Sequence, residues 1–322
     1  MSDSQLLTLL CTAKFRNQSA PSARGSQILV LERDASACRV AARSPEFAAE
    51  IDTQQFLKVG DWLVVLHHQA HKSRGVPRRG VEVFPYDALF RSREEGELLA
   101  RRLPLPEEDR IEFAASLAYE PQTDRLAVAI NGREFRGRVF LYSGLAEGQP
   151  RLVREIDLHA AGHLRPAGMA FHRGQLWVAS YSGNEIAIFD CAAGKPGPVA
   201  RIGASAQNLP EGLRAPIGLW SGDDAVYVTT HLGHELVRIS GWPDEAWNFE
   251  ILSRAEEPLN HPWGITGRRS GTSTELIVAN LNPDDAARSY LSLCRESPDG
   301  SLSWERMPLA PADDLFGFST IR

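Results

Sequence analysis

The stretch Arg165-Pro166-Ala167-Gly168-Met169-Ala170-Phe171, followed by Gln175-Leu176-Trp177-Val178-Ala179-Ser180, decides the fold because it recurs. Its Pro-x-Gly-apolar start returns as Pro216-Ile217-Gly218-Leu219 and as Pro262-Trp263-Gly264-Ile265, with the glycines 50 and 46 residues apart. Each start is followed by a second apolar run, the later two being Ala225-Val226-Tyr227-Val228-Thr229 and Leu276-Ile277-Val278-Ala279-Asn280. Third runs follow at 185–189, 235–239 and 290–293, and fourth runs at 199–202, 249–252 and 304–307. All are short, rich in β-branched and aromatic residues, and bounded by Gly, Asp, Asn or Pro, which is the signature of strands joined by tight turns. Four short strands per ~50 residues describe the blade of a β-propeller.

The same order continues upstream. Strands at 113–119, 125–130, 138–142 and 152–156 make a further blade, with Ala115-Ser116 in place of the usual glycine. Strands at 53–58, 62–66, 80–84 and 98–103 make the one before it. The N-terminus then supplies only three strands, at 7–13, 27–32 and 38–42, while Gly317, 53 residues after Gly264, sits in a blade-start run at 315–321. The expectation is an all-β, six-bladed propeller in which the C-terminal strand completes the N-terminal blade, leaving no open edge. As one domain over 1–322 its blades are 1–45 plus 314–322, 46–106, 107–160, 161–208, 209–256 and 257–313.

Composition narrows the function. The net charge of −6 argues against a nucleic-acid binder, and no run approaches the ~20 apolar residues of a membrane span. Cys11, Cys38, Cys191 and Cys294 show no zinc spacing, and the start lacks the basic region of a signal peptide, so a cytoplasmic location with reduced thiols is expected. No GxSxG, HExxH, GxGxxG or GxxxxGK[ST] pattern occurs, so covalent catalysis is the least supported mechanism.

The repeats at 165–180 and 215–219 resemble the six-bladed propeller superfamily of NHL-repeat proteins, regucalcin and gluconolactonase, diisopropyl-fluorophosphatase, paraoxonase and strictosidine synthase. The resemblance is good over about 110–322, weak before that, and specific for fold. It implies a central calcium ion held by Asn or Asp at the blade starts. The matching residues here are Ala167, Ile217, Trp263 and Phe316, which offer no side-chain oxygen, so calcium is disfavoured. Only Asn280 stands where that group often places a polar residue near the ion.

In a propeller, the loops after second strands and before first strands open on one face. Eight of the nine His fall there: His67, His68, His71, His159, His163, His231, His234 and His261. Imidazole suits acid–base work near neutral pH and transition-metal ligation. His231, His261 and His163 are therefore the candidate acid–base residues, and His231, His261 and His68 the candidate ligands of a divalent transition metal. Arg165, Arg214, Arg133 and Arg136 lie on the same face and suit a carboxylate or phosphate, with Asn280 and Tyr181 completing the rim. Two readings follow. One is an enzyme, hydrolase or lyase, acting on a small anionic or lactone-like molecule at the channel mouth. The other is a non-catalytic NHL-like module binding an acidic protein through its basic loops. A metal-free enzyme of the strictosidine-synthase kind, with Glu211 or Glu257 as its carboxylate, stands behind both.

Overall fold

The computed structural model describes residues 7–15, 26–33, 38–45, 51–69, 80–91, 101–106, 111–132, 136–162, 165–192, 197–203, 213–241, 246–253, 259–280, 290–307 and 315–321. For 7–15, 26, 33, 38–39, 51–54, 67–69, 111–114, 270 and 315–321 the description is of the backbone.

The strands run in chain order. They are β1 (Leu7–Phe15), β2 (Ser26–Arg33), β3 (Cys38–Arg43), β4 (Ile51–Val59), β5 (Trp62–Gln69), β6 (Gly80–Pro85), β7 (Arg101–Leu103) and β8 (Ile111–Glu120). Next come β9 (Arg125–Gly132), β10 (Gly137–Ser143), β11 (Arg151–Asp157), β12 (Pro166–His172), β13 (Gln175–Ser180), β14 (Glu185–Asp190), β15 (Ala200–Ile202) and β16 (Pro216–Ser221). The last are β17 (Ala225–Thr230), β18 (Glu235–Ser240), β19 (Asn248–Ser253), β20 (Pro262–Ser270), β21 (Ser273–Asn280), β22 (Tyr290–Glu296), β23 (Leu302–Met307) and β24 (Leu315–Ile321). They pair antiparallel in four-stranded sheets. Five sheets use consecutive strands, from β4–β7 through β20–β23, and another has the order β24-β1-β2-β3. In that last sheet Ala13 pairs with Phe318 and Lys14 with Gly317.

The first strands touch one another in the order β4, β8, β12, β16, β20, β24 and back to β4. This is the arrangement of a β-propeller, with first strands innermost. Burial follows position in the sheet. β17 is buried at every residue because sheets cover both of its faces, whereas the outer strand β11 is mostly exposed. Apolar clusters fill the seams between sheets. Phe56, Leu63 and Phe84 pack on Ile28 and Val30; Met169, Phe171 and Val178 pack on Ala129 and Leu141; Ile265, Leu276 and Val278 pack on Tyr227 and Leu236.

Glycine sets how closely the inner strands approach. A Cβ on Gly168 would lie 1.8 Å from the Ile217 carbonyl oxygen of the next sheet, and one on Gly218 would lie 2.6 Å from that of Trp263. The Pro-x-Gly start thus lets neighbouring backbones meet at the hub. It also carries a register shift, between Pro166 and Gly168 in β12 and between Pro216 and Gly218 in β16. Such a bulge re-aims the strand end beside the channel. In β8 the glycine's place is taken by Ser116, whose hydroxyl donates to Gln55 Oε1 of β4 at 3.1 Å.

The helix α1 (Tyr86–Arg91) was not expected. It buries Leu89 against Phe84 and Leu63, closing the outside of the seam between the first two sheets. Among the described residues no helix is long and apolar enough to cross a membrane.

Candidate functional site

Three consecutive sheets begin in the same local geometry. The residue before each opening proline is left-handed: Arg165 at φ +54°, Ala215 at +53° and His261 at +46°. The turns from second to third strand also match. Tyr181-Ser182-Gly183-Asn184 joins β13 to β14, and His231-Leu232-Gly233-His234 joins β17 to β18. Their fourth residues are left-handed as well, Asn184 at φ +50° and His234 at +54°. His261 therefore stands where Arg165 and Ala215 stand, His231 where Tyr181 stands, and His234 where Asn184 stands. Histidine has accumulated at equivalent points of a repeated frame, on either side of the seam between the sheets β16–β19 and β20–β23.

The side chains form a continuous row. The Arg165 guanidinium lies over the Tyr181 ring at 5.4 Å. Tyr181 is 5.9 Å from the His231 ring, His231 is 4.9 Å from His261, and His261 is 4.4 Å from His234. Trp263 stands edge-on to His231 at 5.2 Å. His231 and His261 thus meet across the seam, and Arg165 and Tyr181 join the same row. His231 is 8% exposed. Burial first, and then the facing His261, hold its pKa down at about 4, against hydrogen bonding to the Pro262 backbone, which pulls upward. Near neutral pH it is an uncharged imidazole with one donor and one acceptor nitrogen.

Among the described residues, Gln175 Oε1 and Trp177 Nε1, at the start of β13, are buried without a protein partner, and four more such atoms lie at strand ends on the face that carries the row. The four are His231 Nδ1, His261 Nδ1, Thr230 Oγ1 and Asn131 Oδ1. Each belongs to the end of a second strand, to the residue after it, or to the residue before a first strand, so all lie on the same face of the propeller. Groups of this kind need a ligand or ordered water.

Other expected residues fare differently. Asn280 is buried with its amide engaged: Oδ1 accepts from the Asn260 N–H at 3.0 Å, and Nδ2 donates to Ser292 Oγ at 2.9 Å. It locks the channel end of β21 to β22. Arg214 is exposed beside the left-handed Ala215, and Arg136 is exposed at the start of β10. His163 and Arg133 lie outside the described residues, as do Glu211, Glu257 and the basic segment 70–79. His68 lies in β5, opposite Asp52 in the backbone register, with its side chain outside the description. Among the described residues no group of three or more His, Cys, Asp or Glu could hold a metal ion. Ala167, Ile217 and Trp263 also leave the resemblance's calcium without oxygen ligands. The residues present do not fit that ion, and the transition-metal expectation finds no ligand set among them.

His234 was named in the sequence among the channel-face histidines but given no role. The signal was available. Aligning His231-Leu232-Gly233-His234 with Tyr181-Ser182-Gly183-Asn184 places it at the residue that reaches the next sheet. Trp263 was identified as occupying a blade-start position, and its edge against His231 is what the structure adds.

No family model matches the chain, and no curated protein matches it. Solved structures do resemble it. A chain in the crystal structure of a nidogen–laminin complex aligns with a TM-score of 0.60 at 12% identity, covering 98% of this chain and 97% of that one. The periplasmic gluconolactonase PpgL of Pseudomonas aeruginosa aligns with a TM-score of 0.58 at 12% identity, covering 99% of each chain. A protein from Lactobacillus plantarum aligns with a TM-score of 0.55 at 11% identity, covering 98% of this chain and 99% of that one. At these identities the likeness establishes the fold, a β-propeller.

Proposed function

We propose that this chain is a six-bladed propeller of the lactonase-like kind, sealed by β24, which hydrolyses a small anionic lactone at the channel face carrying His231 and His261. The observation behind this is that His231 Nδ1 and His261 Nδ1 are both buried without a protein partner, on rings whose centroids are 4.9 Å apart. The likeness in fold to a gluconolactonase agrees with it.

In this reading Arg165 and Arg214 bind the substrate's carboxylate or phosphate, and Tyr181 and Trp263 flank its ring. The uncharged His231 donates to the lactone carbonyl oxygen as negative charge builds there. His261 takes a proton from water while the water oxygen bonds to the acyl carbon. The ring carbon–oxygen bond then breaks, and His261 returns the proton to the departing alkoxide. The product is an open-chain hydroxy acid, and no other reactant is needed. Arg136, exposed just before β10, adds a further cation on that face.

Proton release from a panel of sugar-acid lactones bearing a carboxylate or phosphate tests this. His261→Ala is expected to lower kcat about 100-fold or more, in keeping with the loss of a positioned acid–base group. Arg165→Ala is expected to raise KM about tenfold with little change in kcat, as loss of one charge-assisted contact does. A wild-type protein that hydrolyses none of the panel, or a His231→Ala/His261→Ala double variant as fast as the wild type, would overturn the reading.

A further inference from the structure

The seam beside the site carries a hydrogen bond that the preceding seam carries in different chemistry. At the earlier seam, Asn184 Oδ1 accepts from the Ala215 backbone N–H at 2.8 Å. At the later one, His234 Nδ1 accepts from the His261 backbone N–H at 3.1 Å. The acceptors occupy the same turn position with the same left-handed backbone, and the donors are both the left-handed residue before a proline. A side chain of one sheet thus fastens the first residue of the next, twice in succession. Asparagine is the residue best suited to this post, since its short amide tolerates a left-handed backbone well. Histidine at the second post adds a ring, and that ring lies 4.4 Å from the ring of the residue it fastens.

We propose that His234 is a positioning residue for His261, fastening its main chain through Nδ1 and thereby fixing the imidazole that faces His231. A backbone N–H can only donate, so His234 Nδ1 is unprotonated and its ring proton sits on Nε2. His261 is then held from two directions. Its N–H is bound by His234, and its φ of +46° is stabilised at a point where the following proline disfavours helical geometry. A left-handed, non-glycine residue needs such support from its surroundings. The proposal rests on the hydrolase reading for the purpose of the fastening, but not for its existence.

Two measurements separate the parts. The first is amide hydrogen exchange at residue 261, with residue 215, held by Asn184, as the internal standard. His234→Ala should speed exchange at 261 at least tenfold and leave 215 unchanged. His234→Asn should restore protection, because asparagine performs the same task one sheet earlier. Equal exchange at 261 in the wild type and His234→Ala would overturn the proposal. The second is steady-state lactone hydrolysis. His234→Ala should lower kcat about tenfold with KM within twofold, and His234→Asn should recover most of it. If His261→Ala is inactive while His234→Ala retains full kcat, His234 positions nothing and the proposal fails. If His261→Ala retains full activity, the hydrolase reading fails, and exchange at residue 261 still decides whether the fastening exists.

Discussion

His231 shows what burial does to a titrating side chain. Its folded pKa of about 4 lies below the ordinary value of 6.5. Between those values the unfolded chain takes up the proton and the folded protein does not. Stability is therefore complete above pH 6.5 and falls as the pH drops toward 4. At about 1.4 kcal/mol per unit the loss is on the order of 3 kcal/mol. Urea midpoints of the wild type and His231→Asn, compared from pH 7 to 4, should differ in slope, the wild type losing more stability than the variant as the pH falls, because the variant lacks this group. Parallel lines would show that the imidazole is solvated. The sequence placed His231 and His261 on one face but could not show that the first is buried and the second left-handed. Both facts depend on residues of the neighbouring sheet. Asn280 shows the reverse: read as a rim residue, its amide is used within its own sheet, and only the position of Ser292 reveals this.

At the scale of the strand, close backbone approach is the controlling feature. Gly168→Ala would drive a methyl group into the Ile217 carbonyl, an atom of the neighbouring backbone that cannot swing aside. The expected cost is about 3 kcal/mol, at the upper end for overpacking. Gly197→Ala meets nothing within 4 Å and should change stability by less than about 0.5 kcal/mol. Chemical denaturation of the two variants checks the contrast, and similar losses would refute the hub-contact account. The strands were legible because Pro-x-Gly starts and Gly- or Asn-bounded apolar runs repeat at near-constant spacing. Ends moved by up to three residues: β8 runs from Ile111 to Glu120 against an expected 113–119, and β22 runs to Glu296 against an expected 293. The helix α1 was missed for a physical reason. Six residues make under two turns, too few for a helical period to show, and the helix is anchored by Leu89 alone among its residues that are buried.

For the molecule as a whole, the pairing of β24 with β1 joins the two ends of the chain in one sheet. A chain ending at residue 314 would expose the edge of β1, which pairs with β24 through Cys11, Ala13, Lys14 and Phe15. That variant is expected to lose its single cooperative unfolding transition in calorimetry and to associate in solution through the bare strand edge. Supplying 315–321 as a synthetic peptide should reverse both changes in part. A truncated protein that melts as sharply as the full chain would show that the seal contributes nothing. This pairing was legible in the sequence because a blade-start pattern on the last residues has no other use.

The pairing of Cys11 with Ile321 also carries a temporal consequence. Segments so far apart along the chain meet at a large entropic cost, although that cost grows only slowly with length. As the polypeptide leaves the ribosome, β2 and β3 can pair early, yet β1 must wait with one side bare until translation has passed residue 321. For that interval the nascent protein offers an unsatisfied strand edge to any neighbouring chain.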